Sequence, residues 1–186
     1  MRAFIGIGLP EDTRAALAQL QDELGESGAD VKWVAPASLH VTLKFLDEIS
    51  DEQRLAVEGL LGRLAAREPS LTLGVAEVGA FPSVTAPRVV WVGFSGGQEA
   101  VARIAQAIER EGATINLRRE ERPFAPHLTL GRVRSSRNLA ALTQRLGAIK
   151  WQPPPPWRVS SLTLYQSVLG AHGPSYSVLG DFRLAA

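Results

Sequence analysis

The chain has 186 residues with 20 basic and 19 acidic side chains, a formal net charge of +1 and no cysteine. That length suits one domain, residues 1–186, able to bury roughly 70% of its unfolded surface, and the balanced charge confines any polyanion site to a local patch. The lack of cysteine excludes disulfides, thiol nucleophiles and thiolate metal sites, and agrees with a reducing compartment.

The apolar run Ala3 to Leu9 stops at Pro10-Glu11-Asp12, too short and badly flanked for a signal peptide. No stretch approaches the ~20 apolar residues of a membrane span. A cytoplasmic monomer without membrane contact is therefore expected.

Residues 2–9 read as a buried strand, after which Pro10-Glu11-Asp12 opens a helix with Leu17, Leu20 and Leu24 on one stripe. Residues 38–46 form a strand, and Ser50-Asp51-Glu52-Gln53 has the form of a capping box at the head of a helix carrying Leu55, Leu60, Leu61 and Leu64. Residues 70–79 alternate as a strand; Ala80-Phe81-Pro82-Ser83 and Ala86-Pro87 mark a loop before the strand Arg88 to Phe94. Gly96-Gly97 leads into a helix with Val101, Ile104 and Ile108 inward, ended by Gly112, and Ile115 to Arg119 resumes extended structure. Pro123 and Pro126 introduce another strand, residues 137–147 a helix, Pro153 to Pro156 a stiff connector, and residues 157–168 and 175–184 two closing strands.

One pattern occurs twice, as Leu39-His40-Val41-Thr42-Leu43 and as Pro126-His127-Leu128-Thr129-Leu130. On an extended strand the histidine and threonine of each copy share one face and the aliphatic residues the other. The shift that lays His127 on His40 also lays Pro123 on Pro36, and a neighbouring shift lays Val90 to Phe94 on Phe4 to Gly8. The chain thus reads as two related lobes. With only three histidines present, two followed by threonine at this spacing has a chance of about 0.005, too small for coincidence.

The chemistry suits the pair. Imidazole titrates near neutrality, so one copy can accept a proton while the other donates one. A threonine hydroxyl on the same face supplies a donor for a phosphate oxygen. From the residues alone, either histidine can be the acid and either the base.

His40-Val41-Thr42-Leu43 and His127-Leu128-Thr129-Leu130 resemble the two HxTx motifs of the two-histidine (2H) phosphoesterase superfamily. Arg2 to Pro10, Val31 to Phe45, Ala80 to Ser83 with Pro87-Arg88, Pro126 to Arg132, and Leu164 through Phe182 resemble its RNA 2′,3′-cyclic phosphodiesterase branch, also called 2′-5′ RNA ligases. The resemblance implies a bilobal α+β fold, a pseudo-two-fold duplication with two antiparallel sheets flanked by helices around a central cleft. It implies metal-independent opening of a 2′,3′-cyclic phosphate at an RNA end to leave a 2′-phosphate, with weak reverse 2′-5′ ligation and no cofactor. His40 would then be the proton donor and His127 the proton acceptor, with Thr42, Thr129 and Arg132 binding substrate. Asp47 stands where the family usually has glycine.

Two rival readings remain open: a cyclic phosphodiesterase acting on small cyclic nucleotides or ADP-ribose cyclic phosphate, and a non-catalytic RNA- or nucleotide-binding module. Lys44 shares the His40 face by parity and either extends the phosphate field or is solvated at the strand end. His172, in a turn by composition, reads as an exposed loop histidine, and two histidines on separate strands do not make a zinc ligand set. Arg118, Arg119, Arg122 and Arg134, interrupted by Glu120 and Glu121, read as a solvated mixed-charge loop. Trp33, Phe45, Trp91 and Tyr165 read as core or rim packing.

Overall fold

A computed structural model describes residues 1–186. Strands and helices follow as β1 (Arg2–Ile7), α1 (Glu11–Gly25), β2 (Val31–Trp33), β3 (Val41–Glu48), α2 (Asp51–Arg67), β4 (Leu71–Ser83), β5 (Ala86–Gly96), α3 (Gln98–Gly112), β6 (Leu128–Val133), α4 (Leu139–Ala148), β7 (Trp157–Val159), β8 (Ser161–Gly170) and β9 (Gly173–Arg183). No helix is long and apolar enough to cross a membrane.

The helices form where their stripes and caps put them. Leu17, Leu20 and Leu24 of α1 and Val101, Ile104 and Ile108 of α3 are fully buried. At the head of α2 the Gln53 N–H donates to Ser50 Oγ at 3.1 Å and the Ser50 N–H to Gln53 Oε1 at 3.1 Å, so two otherwise orphaned donors are satisfied reciprocally.

The strands build two antiparallel sheets, in the orders β3-β1-β8-β9 and β2-β6-β5-β4-β7. In each sheet the motif strand pairs with the strand that opens its own half: β3 with β1 after the crossover α1, β6 with β5 after the crossover α3. That is the duplication the two motifs imply, with β2 and β4 of the first half placed in the second sheet and β8 and β9 of the second half in the first. A single hydrophobic cluster drawing on all four helices runs beneath both sheets. The α+β class and its duplicated two-sheet arrangement are as expected.

Three stretches differ from the sequence reading. Ala80 to Pro87 is strand on both sides of a tight turn at Val84-Thr85, with Phe81 opposite Val89 and Pro82 opposite Pro87. The two prolines sit next to the turn, where their missing donors cost the ladder least. Ile115 to Arg119 forms no strand; after a 3₁₀ turn at Ala113–Ile115, Asn116 adopts φ 59° and redirects the chain. Residues 157–168 break at Ser160 because β7 joins β4 in the second sheet while β8 joins β1 in the first.

A further difference decides which side chains reach the site. Opposite β1, Gly6 pairs with Thr42 but Ile5 with Lys44, so one residue of β3 is extra; opposite β5, Trp91 pairs with Thr129 but Val90 with Gly131, so one residue of β6 is extra. Each bulge reverses the alternation beyond it. Lys44 therefore lands on the core side with Ile5, against the parity reading. There it is buried, ion-paired to Glu109 of α3 and donating to the Arg118 carbonyl at 2.8 Å. Arg132, opposite Val89, is carried to the same face as Thr129.

Asp47 occupies a second irregularity of β3, opposite Ala3, with φ 55°. This is the left-handed region that glycine enters freely and aspartate only at some cost, which accounts for glycine as the usual residue at this position. Urea unfolding is expected to place Asp47→Gly within about 0.5 kcal/mol of the wild type and Asp47→Val about 1–2 kcal/mol below it, since a β-branched residue pays the full left-handed cost. Equal stability of the valine variant would mean that the backbone does not hold this conformation.

Candidate active site

Each motif histidine stands one residue ahead of its strand, His40 before β3 and His127 before β6. The same backbone device fixes both rings. His40 Nδ1 lies 2.7 Å from the Ser38 carbonyl and His127 Nδ1 lies 2.6 Å from the Ala125 carbonyl, each two residues back. A carbonyl only accepts, so Nδ1 carries the proton and Nε2 is left with the lone pair in the neutral ring. His40 Nε2 meets Thr42 Oγ1 at 2.8 Å, which places that histidine and threonine on one face.

The two rings differ in their surroundings. His40 packs against Phe4 at 4.5 Å between centroids and against the edge of Tyr176 at 5.2 Å. Burial pushes its pKa below the usual histidine value; the Ser38 carbonyl opposes that shift, and the Arg14 guanidinium adds to it. His127 stands edge-on to Phe81 at 5.1 Å and to Trp91 at 6.5 Å. The Trp91 indole N–H is buried without a hydrogen-bond partner, an orphan of the kind that marks ligand sites.

Polar side chains of α1 hold both motif segments. Arg14 Nη1 donates to the carbonyls of Pro36 (2.7 Å) and Leu39 (3.2 Å), clamping the lead-in to His40. Buried Gln21 donates through Nε2 to Val34 at 2.8 Å and to Leu130 at 2.9 Å, inside the bulge that follows Thr129. The Leu130 carbonyl also accepts from the Val34 N–H at 2.8 Å. One helix thus braces the first motif at one end and the second at the other.

The two sheets meet at this face. β3 and β6 are in contact, and β9 presents Tyr176 to His40. Burial raises the pKa of the Tyr176 hydroxyl, while Arg2 of the first sheet and Arg132 of the second pull it back. Thr129 lies opposite Trp91, on the face that carries Arg132. No group of three or more His, Cys, Asp or Glu side chains that could hold a metal ion comes together in the fold.

The sequence reading names the two histidines, both threonines and Arg132. It missed Phe4, Phe81 and Tyr176 as ring walls and Arg14 and Gln21 as braces. Strand parity was an available signal for Phe4, which alternates with buried Ile5 and Ile7. Nothing in the helical stripe of α1 singles out Gln21. Trp91 and Tyr165, read as packing, line the ring walls; Tyr165 stacks on Phe4 at 4.9 Å. His172 is exposed in the β8–β9 turn, as its composition suggests.

Comparison with known proteins agrees with this geometry. The family described as LigT-like phosphoesterase matches the chain twice in succession, over residues 7–91 and 92–176. The RNA 2′,3′-cyclic phosphodiesterase of Aeropyrum pernix is 34% identical over 170 residues, covering 91% of this chain and 96% of the relative. A crystal structure of a Thermus thermophilus protein superposes with a TM-score of 0.81 at 30% identity, covering 99% of this chain and 98% of that one. Escherichia coli LigT complexed with 3′-AMP superposes with a TM-score of 0.79 at 28% identity, covering 100% and 98%. With both halves matched in tandem and each half supplying one histidine–threonine strand, the chain belongs to the LigT-like phosphoesterases of the 2H superfamily and is a hydrolase.

Proposed function

We propose that this protein is a metal-independent RNA 2′,3′-cyclic phosphodiesterase in which the two imidazoles act across one phosphate. The observation that carries the reading is the duplicated anchoring of the rings. Both Nδ1 atoms are tied to a backbone carbonyl, which leaves proton transfer to the Nε2 atoms, that of His40 resting on the Thr42 hydroxyl that substrate would displace. The names of relatives such as the Aeropyrum pernix enzyme support the substrate class, and the 3′-AMP complex of the Escherichia coli protein supports a nucleotide in the cleft.

In this mechanism His127 Nε2 takes a proton from water as the water oxygen attacks phosphorus in line with the 3′ oxygen. The P–O3′ bond breaks, and His40 Nε2–H delivers its proton to the departing oxygen, leaving a 2′-phosphate and a 3′-hydroxyl. Thr42 and Thr129 donate to the non-bridging oxygens, where negative charge grows, and Arg132, two strand steps further along the same face, binds substrate beyond the reacting phosphate. A 5′-hydroxyl in place of water would give a 2′-5′ linkage by the same proton movements, so weak reverse ligation belongs to the same proposal. The protein acts as a single bilobal domain, each lobe contributing one motif.

Loss of either imidazole is expected to lower kcat by ~10²–10⁴-fold with an unchanged circular-dichroism spectrum; near-normal turnover by a folded His40→Ala or His127→Ala protein, assayed with chelator present, would refute the mechanism. The roles separate with a substrate bearing sulfur at the 3′ bridging position, whose thiolate departs without a proton. His40→Ala then recovers turnover and His127→Ala does not; the opposite pattern reverses donor and acceptor.

The burial of His40 also sets a pH dependence. Because its pKa is lowered, the proton donor is lost early: the alkaline limb of kcat/KM, where His40 gives up its proton, is expected below about pH 6.5, the unperturbed histidine value. Tyr176→Ala opens the ring to water, raises that pKa and moves the alkaline limb to higher pH. A limb that stays in place in this variant shows that another group sets it.

A further inference from the structure

Lys32 and Arg132 are direct cross-strand partners on β2 and β6. Their neighbours Val31, Trp33 and Gly131 face the other way: a Cβ at Gly131 would meet Trp33 and Val31 side-chain carbons at 2.7 Å. Two cations thus stand side by side, with Cβ atoms on the order of 5 Å apart, an arrangement that destabilises a sheet unless an anion relieves it. No carboxylate does so here. Asp30, which precedes β2, is taken by Arg134 at 3.0 Å, and neither Lys32 nor Arg132 has an ion-pair partner. The β8–β9 turn approaches the Lys32 side chain, since a Cβ at Gly173 would lie 3.8 Å from both Cε and Nζ of Lys32.

The bulge in β6 puts this cationic pair on the face of Thr129, two strand steps or roughly 7 Å further along. That span is on the scale of neighbouring phosphates in a nucleic-acid chain, and too long for both sites to hold the same phosphorus. The opposite end of the cleft offers less. The groove beside Phe45 is lined by Arg2, Arg118, Arg119 and Arg122, but Asp47, Glu120 and Glu121 lie among them, and Arg118 is 3.8 Å from Asp47.

We propose that Lys32, paired with Arg132, forms a second phosphate subsite, which takes the internal phosphodiester on the 5′ side of the terminal nucleotide. The preferred substrate is then an oligoribonucleotide and not a cyclic mononucleotide. This rests on the phosphodiesterase reading and assigns the chain-length preference of that same site.

The test compares a dinucleotide and a mononucleotide, each ending in 2′-phosphate, for binding by fluorescence anisotropy, and their 2′,3′-cyclic counterparts for turnover. The proteins are the wild type, Lys32→Gln, Lys32→Arg and Arg119→Gln. The wild type is expected to favour the dinucleotide roughly tenfold, Lys32→Gln to lose that ratio and lower the salt slope of dinucleotide binding by about 1, and Lys32→Arg and Arg119→Gln to keep it. A wild type without chain-length preference, a preference intact in Lys32→Gln, or a loss confined to Arg119→Gln overturns the subsite. If the binding pattern holds but no cyclic substrate turns over, the subsite stands and the phosphodiesterase reading falls.

Discussion

One extra residue just after each motif threonine determines what the cleft contains. In a regular strand Lys44 would join Thr42 on the open face, and Arg132 would point away from Thr129. The bulges invert both placements, sending Lys44 under the sheet to Glu109 and bringing Arg132 onto the site. A buried, paired lysine is costly to desolvate, and its attraction to Glu109 together with the hydrogen bond to the Arg118 carbonyl offsets that cost. The same contacts anchor the start of the segment leading to His127. The bulge in β3 therefore places its own motif and helps to tether the other.

The second bulge is held from outside the sheet. Its Leu130 carbonyl accepts from the Val34 N–H and from Gln21 Nε2. Removing the Gln21 amide would leave a buried carbonyl short of a partner, and such losses cost about 1–3 kcal/mol. Arg14, from the same helix, grips the carbonyls before His40. Helix α1 packs through its leucine stripe like any amphipathic helix, while its polar residues set the relation between two strands that lie in different sheets.

Much of this fold was legible because its signals are local and periodic. The stripes of α1 and α3, the Ser50–Gln53 box and the doubled histidine–threonine pattern survive as read, whereas in α2 Leu60, Leu61 and Leu64 are buried but Leu55, read with them, is exposed. What was not legible depends on long-range pairing. A bulge is an event of register between two strands, so the parity of Lys44 and Arg132 could not be counted from one strand alone. The crossing at Ser160 depends on which sheet has a vacant edge. Tyr176 lies far from both motifs in sequence and reaches His40 only because β9 is carried to the first sheet by β8. Asp47 is the instructive intermediate: its departure from glycine was visible, and the positive φ that makes glycine the usual residue there was not.

Duplication supplies symmetry, whereas acid–base catalysis on one phosphate needs two different groups. The backbone is the symmetric part, with a carbonyl two residues back on Nδ1, a threonine two residues on, and a bulge after it. The differences lie in the side chains attached to that backbone. Past the bulge the first copy continues Lys44-Phe45 and the second Gly131-Arg132. The first copy therefore buries its cation and exposes an aromatic ring, Phe45 being 56% exposed, while the second presents its cation beside Lys32. One imidazole is enclosed by Phe4 and Tyr176 and loses basicity to burial; the other stands at the edge of Phe81 and Trp91. A substrate bound between such unlike walls has an aromatic surface at one end and two unpaired cations at the other, so a single orientation is favoured. In the proposed mechanism the direction of proton transfer follows from that orientation.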